Sequence, residues 1–172
     1  MSDLIIPIKP EVLALISQDI ALPGKMYLQE ANIYLPETAG KLPRIEGRFD
    51  IAESGHFSFD PGSVHATDSE VAAAQLGYAF LIQGSLDGLI TKIPTRTIDY
   101  LSAIIRDKKG GAWRAEGHVK STGALPKVCV GCMNLTSVIG NGDSNKRIVE
   151  TDVLMGNRPY SHKMELTFVV NF

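Results

Sequence analysis

The chain has 172 residues, 44% hydrophobic and 21% charged, with 17 basic against 19 acidic side chains and a net charge of −2. That length suits one domain able to bury roughly two thirds of its unfolded surface. The near-neutral balance, with no basic run, argues against the cationic face that nucleic-acid binding needs. No cationic segment precedes Leu4, Ile5 and Ile6, so no secretion signal is expected. The longest near-apolar run, Val71 to Ile82, is too short to span a bilayer. Two cysteines are too few for a disulfide framework, and a reducing, cytoplasmic setting is expected.

Pro10 to Ile20 predicts a short helix, with proline at its first position and Val12, Leu13, Ile16 and Ile20 on one face. Pro23-Gly24 ends it. Lys25 to Leu35 predicts a strand. Ile45 to Ala52 is a clearer one, since Ile45, Gly47, Phe49 and Ile51 alternate with Glu46, Arg48 and Asp50. A loop from Glu53 to Ala66 leads to a helix over Thr67 to Gln83 with almost no polar face beyond its first turn. A helix apolar on all sides must be enclosed by other structure. Thr97 to Arg106 predicts a strand, followed by strands over Ala112 to Lys120, Val128 to Ile139 and Ile148 to Leu154. Gly140-Asn141-Gly142-Asp143 supplies turn chemistry before the last of these. In the final strand Met164, Leu166, Phe168, Val170 and Phe172 share one face.

An antiparallel sheet wrapped around one long central helix is the economical arrangement for this order. It is an α+β hotdog fold, expected to form a single domain over residues 1–172.

Particular residues carry a family resemblance. Pro10 to Tyr78 resembles the FcoT-like hotdog acyl thioesterases, through the N-terminal helix and then Tyr27-Leu28 with Ala31. Gly47-x-Phe49-x-Ile51-x-Glu53-Ser54 and Gln75-Leu76-x-Tyr78 follow in the same order. Met164-Glu165-Leu166 to Asn171 resembles that family's last strand. The loop also resembles the 3-hydroxyacyl-ACP dehydratases, which share Gly55-His56-Phe57, Pro61 and an acidic residue, Glu70, fourteen positions after the histidine. It lacks their second Pro-Gly. It departs from the thioesterases too, with His56 in place of a tyrosine and Ala74 in place of a helix asparagine. These resemblances imply an acyl thioester substrate on CoA or acyl carrier protein and no cofactor. They also imply a homodimer or higher hotdog oligomer with sites at a subunit interface.

The residues themselves support acid/base work. His56 titrates near neutrality, and Glu70 lies in the first turn of a buried helix, so the two are the candidate catalytic pair. In hydrolysis one of them activates water. In a dehydration, His56 takes the α-proton and Glu70 protonates the leaving hydroxyl. A non-catalytic acyl-binding subunit is the third reading. His65, Tyr78, Gln75 and Phe57 are candidate substrate contacts. Two structural roles compete with these: Thr67-Asp68-Ser69-Glu70 fits a capping box, and Gln75 in an apolar helix needs a hydrogen-bond partner. Cys129-Val130-Gly131-Cys132 is a lone CxxC within a strand pattern, whose two thiols would face opposite ways, so neither zinc nor redox chemistry is expected of it.

Overall fold

A computed structural model describes residues 3–21, 24–38, 40–51, 64–107, 113–121, 123–140, 145–157 and 160–172. The elements run β1 (Leu4–Pro7), α1 (Pro10–Leu15), β2 (Leu28–Leu35), β3 (Arg44–Asp50), α2 (Ala66–Asp87), α3 (Ile98–Arg106), β4 (Arg114–Ser121), β5 (Val128–Ile139), β6 (Lys146–Asn157) and β7 (Tyr160–Asn171). Past Leu15, α1 widens into a π-type turn over Ile16–Ile20, closed by Ala21 N–H donating to the Ile16 carbonyl at 2.7 Å.

Among the described residues, seven strands form one antiparallel sheet in the order β1-β2-β3-β5-β6-β7-β4. The chain leaves the sheet after β3 and re-enters at the far edge as β4. The hairpins β5–β6–β7 then fill the gap between them. α2 makes that crossing and packs against all of β2 to β7. This is a hotdog-like α+β arrangement, and the alternation in the strands accounts for it. Ile45, Phe49, Met133, Val149, Phe168 and Val170 are each 0% exposed and turn toward the helix. Leu76, Ala79, Phe80, Leu81 and Ile82 of α2 answer them at 0–1% exposed. Cutting one of these large side chains to alanine costs about 2–5 kcal/mol.

Close approach of helix and sheet depends on Gly77. A Cβ there would lie 2.0 Å from Cζ of Phe168. α2 stops at Gly88, whose φ of 64° is left-handed and whose N–H bonds to the Gly84 carbonyl.

Three expectations are corrected. Thr97 to Arg106 is not a strand: Ile98–Arg106 is a helix. Its branched residues favour strands, but Ile98, Leu101 and Ile105 repeat at helical spacing, and the Thr97 hydroxyl caps the helix by accepting from Tyr100 N–H at 3.3 Å. Leu4–Pro7, unassigned from the sequence, is a strand that borrows its regularity from pairing with β2. And α2 starts at Ala66 rather than Thr67, with consequences for the site.

Candidate functional site

The N-cap of α2 is His65, in extended backbone, and its side chain makes no capping bond. The expected capping box is therefore absent. With the helix beginning at Ala66, Thr67 lies inside the first turn and is exposed, while Glu70 sits five residues past the cap, out of register for the box. The structural role that competed for the Glu70 carboxylate falls away. Glu70 is half-buried at the helix start, as is His65.

Beside them, on the side of α2 turned to the sheet, is a polar cluster that the sequence reading missed. Asp68 and Ser69 are both 0% exposed. Asp68 Oδ1 accepts the Tyr27 hydroxyl at 3.0 Å. Ser69 Oγ lies 2.6 Å from Nδ1 of His162, whose Nε2 is 2.9 Å from the Gly123 carbonyl. Residue 125 of the same segment forms a bridge to Val64, with Val64 N–H donating to the Leu125 carbonyl at 3.0 Å. Two signals could have found this cluster. Asp68 and Ser69 interrupt an apolar helix, and His162 shares the strand parity of inward-facing Met164 and Leu166.

The remaining sequence candidates divide. Gln75, 2% exposed, accepts from the N–H groups of Tyr27 and Leu28 at 2.9 and 3.1 Å and donates to the Lys25 carbonyl at 2.5 Å. Both ends of its amide are thus taken up by the entry to β2. Tyr78 lies about 12 Å along the helix axis from Glu70 at 1.5 Å per residue, so it does not meet the helix start. It packs edge-on against Phe168 with ring centroids 5.6 Å apart, and near Trp113 at 6.2 Å. Burial pushes its hydroxyl up to about 12, against a smaller opposing effect of a backbone hydrogen bond with Ala115. At neutral pH it is an uncharged phenol within an aromatic layer. His56 and Phe57 lie outside the described residues.

Elsewhere, Cys129 is buried and Cys132 half-buried on opposite faces of β5, both as free thiols. Burial raises both, Cys129 to about 11. Among the described residues no group of three or more His, Cys, Asp or Glu could hold a metal ion, and no helix is long and apolar enough to cross a membrane. A cavity of about 480 Å³ opens on the outer face of the sheet, where exposed His118, Lys120, Asp152, Lys163 and Glu165 line it. It lies away from α2 and is bordered by charge, which suits an acyl chain poorly.

No protein-family model matches the chain, and a search of characterised proteins gives no match. Solved structures do resemble it. A proposed thioesterase from Shewanella oneidensis superposes with a TM-score of 0.50 at 11% identity, covering 95% of this chain and 100% of that one. A mutant thioesterase from Pseudomonas aeruginosa gives 0.40 at 14% identity, over 81% and 82% of the two chains. A thioesterase from Haemophilus influenzae gives 0.36 at 12%, over 81% and 78%. The Shewanella structure superposes over nearly the whole of both chains, and at such identity the likeness is one of fold.

Proposed function

We propose that this protein is an acyl-thioester enzyme whose reaction takes place at the start of α2, and that the reaction is hydrolysis. The observation that carries this is the half-buried Glu70 beside the N-terminal turn of a helix enclosed by a hotdog-like sheet. The fold likeness to the Shewanella protein supports the substrate class. An anion developing on a thioester carbonyl is stabilised by N–H groups at a helix start, and such electrostatic help is worth about 3 kcal/mol.

In this reading Glu70 or His56 takes a proton from water as its oxygen bonds to the carbonyl carbon. Collapse of the tetrahedral intermediate breaks the C–S bond, and the proton passes to the leaving sulfur. His65 borders the helix start and Phe57 is a further candidate substrate contact, while Tyr78 lies deeper among the aromatic side chains. The substrate is a fatty acyl chain on CoA or acyl carrier protein, and the working unit is a homodimer.

A second reading rests on Gly55-His56-Phe57 with Glu70 fourteen residues later. That spacing suits dehydration of 3-hydroxyacyl thioesters. Incubation with saturated, 3-hydroxy and 2-enoyl thioesters, followed by mass spectrometry, separates the two. Free acid from the saturated thioester is expected. Interconversion of 3-hydroxy and enoyl forms without free acid would replace hydrolysis with dehydration, and binding without turnover would leave an acyl-binding subunit. His56→Ala and Glu70→Gln are each expected to abolish turnover in a folded protein; full activity in either removes that residue from the mechanism.

A further inference from the structure

We propose that His162 is a positioning residue for the site at the start of α2, acting through Ser69 and held as the tautomer protonated on Nε2. This rests on the reading of that helix start as the acyl-thioester site. It goes further by naming what fixes the geometry there.

The start of α2 has no side-chain cap of its own, so other elements must hold it. The imidazole of His162, 1% exposed, stands between Ser69 Oγ at 2.6 Å and the Gly123 carbonyl at 2.9 Å. A carbonyl oxygen only accepts, so Nε2 carries a hydrogen. In the neutral ring Nδ1 then offers its lone pair, and the Ser69 hydroxyl donates to it. The His65 carbonyl, 3.2 Å from the same hydroxyl, is the more distant acceptor for its one hydrogen. Every polar atom of the ring is used.

The placement of these bonds makes the ring more than a core histidine. Residues 123 and 125 hold the helix start twice. Gly123 fixes the ring that holds Ser69, and Leu125 bridges Val64, the residue before the N-cap. β7 supplies the ring and α2 the serine, so one hydrogen-bonded chain joins the strand, the connecting segment and the first helical turn. Glu70 follows Ser69 directly and inherits that turn's position and tilt. A misplacement of about 1 Å at reacting groups costs on the order of 10²-fold in rate. Orientation of a site by residues that do not touch substrate is a general device.

The test compares wild-type protein with Ser69→Ala, His162→Phe and His162→Asn. Far-UV circular dichroism and thermal melts check the fold, thioester hydrolysis gives kcat and KM, and ¹⁵N NMR of the histidines reads the tautomer. Asparagine places an acceptor oxygen near the Nδ1 position, so it keeps the bond from Ser69 even if phenylalanine does not fold. Expected are an Nε2-protonated His162 in the wild type and kcat lowered about 10²-fold in Ser69→Ala and His162→Phe. KM should stay within about threefold, and His162→Asn should recover most of the loss. Because Ser69 and His162 act as one unit, the double variant Ser69→Ala/His162→Phe should be no slower than either single variant. Unchanged kcat in folded Ser69→Ala or His162→Phe, or a ring protonated on Nδ1 alone, would overturn the positioning role and leave the functional reading standing. A wild type that turns over no thioester removes the functional reading and the positioning role together.

Discussion

Replacing Gln75 by leucine is the sharpest test of whether a polar residue in α2 serves the fold or a substrate. The change roughly keeps side-chain volume, and it removes three hydrogen bonds: two from the N–H groups of Tyr27 and Leu28 and one to the Lys25 carbonyl. Only one side of each pair disappears. The backbone groups at the entry to β2 stay where they are and lose these partners in an interior that is 2–3% exposed at Gln75, Tyr27 and Leu28. A buried group left in that condition costs about 1–3 kcal/mol, and a typical bond contributes about 1 kcal/mol net, so a total of about 3–4 kcal/mol is expected. For a chain of 172 residues, an unfolding entropy near 2.1 cal/mol/K per residue turns that into a fall in Tm of roughly 10 °C. Urea unfolding followed by circular dichroism should show the midpoint falling with an unchanged slope. A loss below about 1 kcal/mol together with lost turnover would refute the structural assignment and return Gln75 to the substrate.

Two further outcomes follow from packing and burial. Gly77→Ala gains about 1 kcal/mol of helix propensity but drives a methyl into Phe168, at an overpacking cost of about 1–3 kcal/mol, so net destabilisation is expected by urea titration. A stabilised variant would mean that the ring yields freely. Iodoacetamide should modify Cys129 far more slowly in the folded protein than in urea at pH 8, because burial lifts its thiol from 9.0 to about 11. Its folded value is raised, so the contribution to stability is complete below pH 9 and is lost as pH climbs through about 11. Rapid labelling of the folded protein at pH 8 would contradict the burial.

The legible parts of the chain were those where local pattern and tertiary environment agree. Strict alternation in Ile45 to Ile51 and in Met164 to Phe172 marks strands with one buried face, and those residues line the core. The all-round apolar stretch after Val71 marks an enclosed helix for the same reason. Thr97 to Arg106 misled because its isoleucines carry strand propensity, whereas the cap and the helical spacing decided the outcome. The capping box misled by two residues: Thr67 has the right side chain, but the N-cap is His65.

The sequence by itself determined an α+β chain with a nearly neutral surface and strands around an apolar helix, because periodicity and composition are local properties that burial alone enforces. It also singled out His56 and Glu70 as the candidate catalytic pair, of which Glu70 lies in the first turns of α2 and His56 outside the described residues. Only the tertiary structure decided what holds the start of α2 in place. Ser69, His162 and Gly123 are separated by tens of residues along the chain, and no local pattern couples them. Their meeting depends on the strand order of the sheet and on α2 crossing from β3 toward the β4 edge, which bring the beginning of β7 to the beginning of α2.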